Sequence, residues 1–190
     1  MFKDPAVGAI ELKSIARGMR SADVMVKRAP IELIKVHPIC PGKFFIMIAG
    51  EVDPVAEAMK AGCEDAADLM VGEIYLPYAH LGIIPALSGT VNFESVQMQE
   101  KSLAIVESFS VAYALKALDL VLKRTDVLAL DLRLASGLGG KAYFILIGEL
   151  PQIESALAIS AEFLKSEGSL ACAELIRAPH PEFLIKGLAT

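Results

Sequence analysis

The feature that most constrains this chain is its self-similarity. Ile10-Glu11-Leu12-Lys13-Ser14-Ile15-Ala16 is answered 96 positions later by Val106-Glu107-Ser108-Phe109-Ser110-Val111-Ala112. The same spacing relates Asp23 to Asp119, Lys27 to Lys123 and Arg28 to Arg124. It widens to 98 at Gly42-Lys43 and Gly140-Lys141, holds at Gly50-Glu51 and Gly148-Glu149, and reaches 100 at His80 and His180. A fixed period marks a chain built from repeated units. Stepwise widening places the extra residues in exposed loops, where insertions cost little. The 190 residues therefore divide into two copies of one small unit.

The hydrophobic pattern repeats with the residues. Met19, Ala22 and Val26 form a helical stripe, and Leu115, Leu118 and Leu122 repeat it. Val55, Met59, Gly62 and Ala66 form a second, matched by Ile153, Leu157, Ser160 and Leu164. Asp53-Pro54 predicts a helix N-cap followed by proline at the first helical position. The first copy is expected to run strand (near 6–13), helix (16–29), strand (31–39), strand (43–50), helix (54–67), strand (69–77) and a short C-terminal helix. The second runs 103–109, 111–124, 127–135, 141–148, 151–166, 169–177 and about 181–188. The short Pro/Gly turn between 39 and 43 predicts a hairpin. The polar stretch Ser88–Lys101 has no counterpart, so the units are 1–88 and 102–190 with 89–101 as a linker. The fold class is α+β, a small sheet with helices packed on it.

Composition narrows the function. A net charge of -5 and a pI near 5.3 give no support to nucleic-acid binding. Apolar residues make up 54% and mean hydropathy is +0.51, yet no apolar run approaches the roughly 18 residues of a membrane span. Phe2-Lys3-Asp4-Pro5 leads directly into the first strand pattern, so no signal peptide and no membrane association are expected. So apolar a chain is expected to hide surface in an oligomer. Cys40, Cys63 and Cys172 are odd in number and far apart, with no CxxC and no zinc-type spacing, which fits a reducing cytosol.

Four segments together resemble the bacterial microcompartment shell domain: Ala9–Leu12, Asp23-Val24-Met25-Val26-Lys27-Arg28-Ala29, Pro41–Phe44 and Arg177-Ala178-Pro179-His180. Two unpermuted copies in one chain resemble the tandem-domain shell proteins, which assemble as homotrimers that imitate a hexagon. Among these the chain resembles the propanediol-utilisation type, whose central loop carries an iron–sulfur cluster. The match lies in Ile39-Cys40-Pro41-Gly42-Lys43-Phe44 and the Ser136-Gly137-Leu138-Gly139-Gly140-Lys141 loop.

The resemblance implies a role for a lone cysteine that the sequence alone reads as turn filler. If the hairpin loops converge at the centre of a trimer, three copies of Cys40 meet on one axis and hold one [4Fe–4S] cluster, leaving one iron to a non-protein ligand. Ile39, Pro41, Gly42, Lys43, Gly137, Leu138, Gly139 and Gly140 would line the loops. Gly42 would permit an anion-binding turn, and Lys43 would offset charge and lower the thiol pKa. His37 is expected to bond a nearby carbonyl rather than the metal. The resemblance also places Lys27, Lys123, His80, Arg177 and His180 at the tile edge, against neighbouring shell proteins in a hexagonal layer. The cluster would serve electron transfer across the shell, with an enclosed redox enzyme as partner, or cluster delivery.

Other residues carry less. Cys63 and Cys172 lie in a helix and a strand, read as packing, and lack an adjacent base. Glu11, Glu107, Asp23 and Asp119 occur at equivalent places in both copies, which points to fold or contacts rather than catalysis. Gly137–Gly140 lacks the spacing of a phosphate loop and precedes a strand. Two other readings remain open at this point: a tile whose loops form a metabolite pore without metal, and a small α+β enzyme or ligand-binding oligomer. No acid–base set confined to one copy supports the latter.

Overall fold

The computed structural model describes residues 5–91, 101–135 and 139–187. Gly137, Leu138 and most of the expected linker lie outside these. Copy one comprises β1 (Ala6–Leu12), α1 (Ile15–Arg28), β2 (Glu32–Ile39), β3 (Lys43–Gly50), α2 (Val52–Ala66), β4 (Met70–Leu76) and α3 (Ile83–Ser88). Copy two comprises β5 (Ser102–Ser108), α4 (Val111–Arg124), β6 (Leu128–Leu134), β7 (Ala142–Gly148), α5 (Leu150–Ser166), β8 (Leu170–Ile176) and α6 (Pro181–Gly187). Each copy forms a four-stranded antiparallel sheet, ordered β2-β3-β1-β4 and β6-β7-β5-β8. This is the α+β class expected from the repeat.

Local chemistry explains the helix starts. Ser14 and Ser110 each accept a hydrogen bond from the amide three residues on, capping α1 and α4 alike. The expected cap at Asp53 is corrected. The helix begins two residues earlier, with Glu51 as N-cap and no side-chain bond, and Asp53 and Pro54 sit in the first turn. There the Asp53 carboxylate still favours the positive helix end, and the proline lacks only an amide that needs no partner.

The central strands β1 and β3 of copy one are almost wholly buried because both faces are covered. Ile10, Leu12, Phe44, Ile46 and Ile48 meet Met25 of α1 and Val55 and Met59 of α2. The opposite face, including Val7, Ala9, Met47 and Ile74, belongs to a core shared with copy two. Copy two contributes Leu115, Leu118 and Leu122 of α4 to that core. The joint is close: an added Cβ on Gly72 of β4 would lie 3.9 Å from Ala112, and one on Gly82 would lie 3.4 Å from Leu122 Cδ1. In return, α3 of copy one packs on β6 of copy two.

Within copy one, α1 approaches its sheet through Gly18, where a Cβ would sit 2.3 Å from Phe44 Cδ1. Copy two has Ala114 and Ala142 at these two places, so a smaller strand residue accompanies the larger helix residue. Cores resist added volume as well as lost volume. Gly18→Ala should therefore destabilise the protein by about 1–3 kcal/mol in urea unfolding. The penalty should shrink in a Phe44→Ala background, as a double-mutant cycle would read.

Candidate functional site

The β2–β3 turn holds Cys40 at its tip. Ile39 is buried in the shared core and Cys40 is exposed, with a cis peptide to Pro41. Gly42 turns the chain at φ +67°, a conformation that side chains disfavour. In the second hairpin Gly139 and Gly140 also have positive φ. A Cβ on Gly140 would lie 2.5 Å from the Cys40 carbonyl oxygen, so this glycine lets the two hairpin tips touch. The backbone of Cys40 is thus braced by the second copy while its thiol stays open.

The roots of both hairpins are fixed by the same ion pair. Lys43 Nζ donates to Glu11 Oε1 at 2.7 Å, and Lys141 donates to Glu107. The expectation that Lys43 serves the Cys40 thiol is corrected on this ground: its ammonium neutralises a carboxylate that burial would otherwise strand. The environments of the two pairs differ. The Glu11 side chain is 0% exposed and that of Glu107 33%. The cover over Glu11 comes from copy two, where Ser110 Oγ lies 3.5 Å from Glu11 Oε2.

His37 Nδ1 lies 3.0 Å from the Pro38 carbonyl oxygen, and its ring meets Phe45 edge-on at 6.3 Å. Cys63 donates to Glu73 Oε2 at 2.5 Å. Burial, with the Glu73 carboxylate adding to it, pushes that thiol up to about 12. Cys172, expected in the core, is exposed on β8 with its sulfur 3.8 Å from Glu174 Oε1. The reason is positional: β8 is an edge strand on which α5 packs, and among the described residues no second helix packs on it as α4 packs on β4. Among the described residues, no three His, Cys, Asp or Glu side chains converge to hold a metal ion.

The remaining singled-out residues divide between two places. Lys27 bonds Asp23 and Lys123 bonds Asp119, each one helical turn away. Arg177 is exposed and pairs with Glu154 at 2.9 Å. His80 lies at the joint between copies, where its amide donates to Asp119 Oδ1 at 2.8 Å and its Nδ1 accepts from Gly82 at 3.1 Å. His180 makes the matching bond from the Glu182 amide, 3.2 Å. Sequence reasoning missed the contacts that Ser110 and Asp119 make across the joint. The repeated serine before each first helix was the available signal.

The two hairpin roots should respond differently to loss of the cation. Lys43→Met leaves the covered Glu11 without its counter-charge and should cost about 3–5 kcal/mol. Lys141→Met, beside a more solvated carboxylate, should cost at most about 1 kcal/mol. Urea unfolding at neutral pH compares them.

Comparison with known proteins places this geometry. The chain matches the BMC domain twice, over residues 6–79 and 102–179. It is 35% identical over 175 residues to the bacterial microcompartment shell protein PduT of Citrobacter freundii, covering 92% of this chain and 93% of that one. It is 32% identical over 91 residues to the carboxysome shell protein CsoS1 of Prochlorococcus marinus, covering 46% of this chain and 87% of that one. A crystal structure of a microcompartment protein from Desulfitobacterium hafniense superposes with a TM-score of 0.85 at 31% identity, covering 95% of this chain and 98% of that one. No helix among the described residues is long and apolar enough to cross a membrane. Two BMC domains in tandem, each a four-stranded sheet with its helices, make this chain a member of the bacterial microcompartment shell protein family.

Proposed function

We propose that this shell protein is a homotrimeric tile whose three Cys40 thiols together hold one [4Fe–4S] cluster. One observation carries the ring: surfaces of copy two that copy one covers are bare on copy one itself. Leu115 is 0% exposed and its equivalent Met19 is 57% exposed. Val111 and Leu122 are buried, whereas Ile15 and Val26 are exposed. The Asp119 side chain, which receives the His80 amide, is 5% exposed, and that of Asp23 is 54% exposed. Ala129 of β6 is buried under α3, whereas Leu33 of β2 is exposed.

Copy one therefore offers what copy two of another chain would cover, and Asp23 offers an acceptor for the amide of that chain's His180. Such a contact is head-to-tail, and it ends either in a ring or in an open filament. Three chains with two units each give the six-cornered ring that a flat tile needs. The touching hairpin tips, repeated at every joint, would gather all six tips around the centre.

The donor set fits a cluster only when shared. One chain brings a single exposed thiol at its tip, and three chains bring three. Fe–S clusters are held by thiolates, usually four, so one iron would take a non-protein ligand. When bound, the cluster supplies one-electron chemistry. Cys40 ligates, Gly140 holds its carbonyl in place, and the positive-φ turn at Gly42 orients the loop. Electron transfer across the shell to an enclosed redox enzyme, or cluster delivery, is the use we assign.

Protein purified without oxygen should be brown, with about four irons and four sulfides per trimer, and Cys40→Ser should be colourless. A wild type that stays colourless after anaerobic reconstitution with iron and sulfide overturns the cluster and leaves a tile with an open pore. At the outer edge, exposed Lys27, Lys123 and Arg177 would meet neighbouring tiles. Lys27→Asp combined with Lys123→Asp should leave trimers intact and abolish sheets in electron micrographs.

A further inference from the structure

The two kinds of joint in the ring differ chemically, and this inference rests on the head-to-tail ring proposed above. Within the chain, β4 turns Gly72, Ile74 and Leu76 toward copy two. Gly72 approaches Ala112, while Ile74 and Leu76 are buried in the shared core. Lys116 of α4 lines a cleft of about 440 Å³ with Ile74, Glu73 and Cys63, and its ammonium lies 5.3 Å from the centre of the Phe163 ring. At the positions of Ile74 and Leu76 this joint is apolar.

At the free end of copy two the same strand positions carry Cys172, Glu174 and Ile176, since Gly72 and Cys172 pair with the equivalent residues Glu11 and Glu107. The Cys172–Glu174 contact at 3.8 Å puts those two side chains on one face. At the free end of copy one, Arg20 stands where α4 has Lys116, and Asp65 stands where α5 has Phe163. Arg20 lies 2.6 Å from Asp65 Oδ1 and is largely exposed, while Asp65 also accepts from Ser21 Oγ at 2.7 Å. Laying the joint between chains over the joint within a chain brings Glu174 to the place of Ile74, and Arg20 to the place of Lys116.

We propose that Glu174 of one chain pairs with Arg20 of the next, so that Asp65 and Glu174 share one guanidinium across the joint. A guanidinium has five donors in a planar fork and can serve two carboxylates. The occupant this surface selects is a second copy of the same chain. A neighbour lacking a cation at that place would leave Glu174 covered and unpaired, which excludes it. An isoleucine there, as in the joint within the chain, would carry no such selection.

The test reads trimer assembly of the full chain by sedimentation velocity over a concentration series, with circular dichroism to confirm folding. Glu174→Arg should raise the half-assembly concentration at least about thirtyfold, and Arg20→Glu combined with Glu174→Arg should recover most of it. Glu174→Arg that assembles like wild type removes the ion pair and leaves the ring standing. A folded double variant that stays dissociated also removes it. Wild type that is monomeric at every concentration removes the ring, and this inference with it.

Discussion

The structure depends on α4 having two apolar faces. One packs on its own sheet, and the other, with Leu115 and Leu122, packs on the sheet of copy one. A helix that is apolar nearly all round must be buried on all sides, so the two copies cannot separate without exposing it. From that burial follow the shared core, the cover over Glu11, the bond from the His80 amide to Asp119, and the contact between hairpin tips. Helix α1 has the same place in copy one but no second sheet to meet, and its outer face stays exposed.

The electrostatics are built around the same joint. A carboxylate on the first strand and a lysine at the root of the adjacent hairpin form a pair in each copy. Burying an ion pair contributes little net stability, but breaking one is expensive. The pair therefore acts mainly as a positional lock between strand and hairpin. It holds the turn that carries Cys40 in register with the sheet, so the direction of the thiol is set by the fold rather than by the loop alone.

Much of the fold was legible because duplication states each element twice. Helix and strand bounds read from the stripes differ from those observed by a residue or two, and the hairpin at 39–43 was announced by its Pro-Gly turn. What escaped the sequence escaped for physical reasons. Cys172 lies in a strand as apolar as its neighbours, yet it is exposed among the described residues. A pattern of hydrophobic residues does not distinguish burial by one's own fold from burial by a neighbouring molecule. The partner of Lys43 was hidden because Glu11 and Lys43 are 32 positions apart and meet only once the strands pair. The candidate site was visible as an isolated cysteine, and the role proposed for it came from family resemblance, since one thiol carries no ligand geometry.

The copies no longer match at the tip of the hairpin: a cysteine stands in one loop, and a glycine-rich turn answers it in the other. A tile made from a single-unit chain must repeat any change at all six corners. Fusion of two units gives each corner type its own codons, so an alteration can fall on every second corner alone. In the proposed trimer, mutation can then tune three positions of a nearly sixfold object while the other three stay small enough to make room for them.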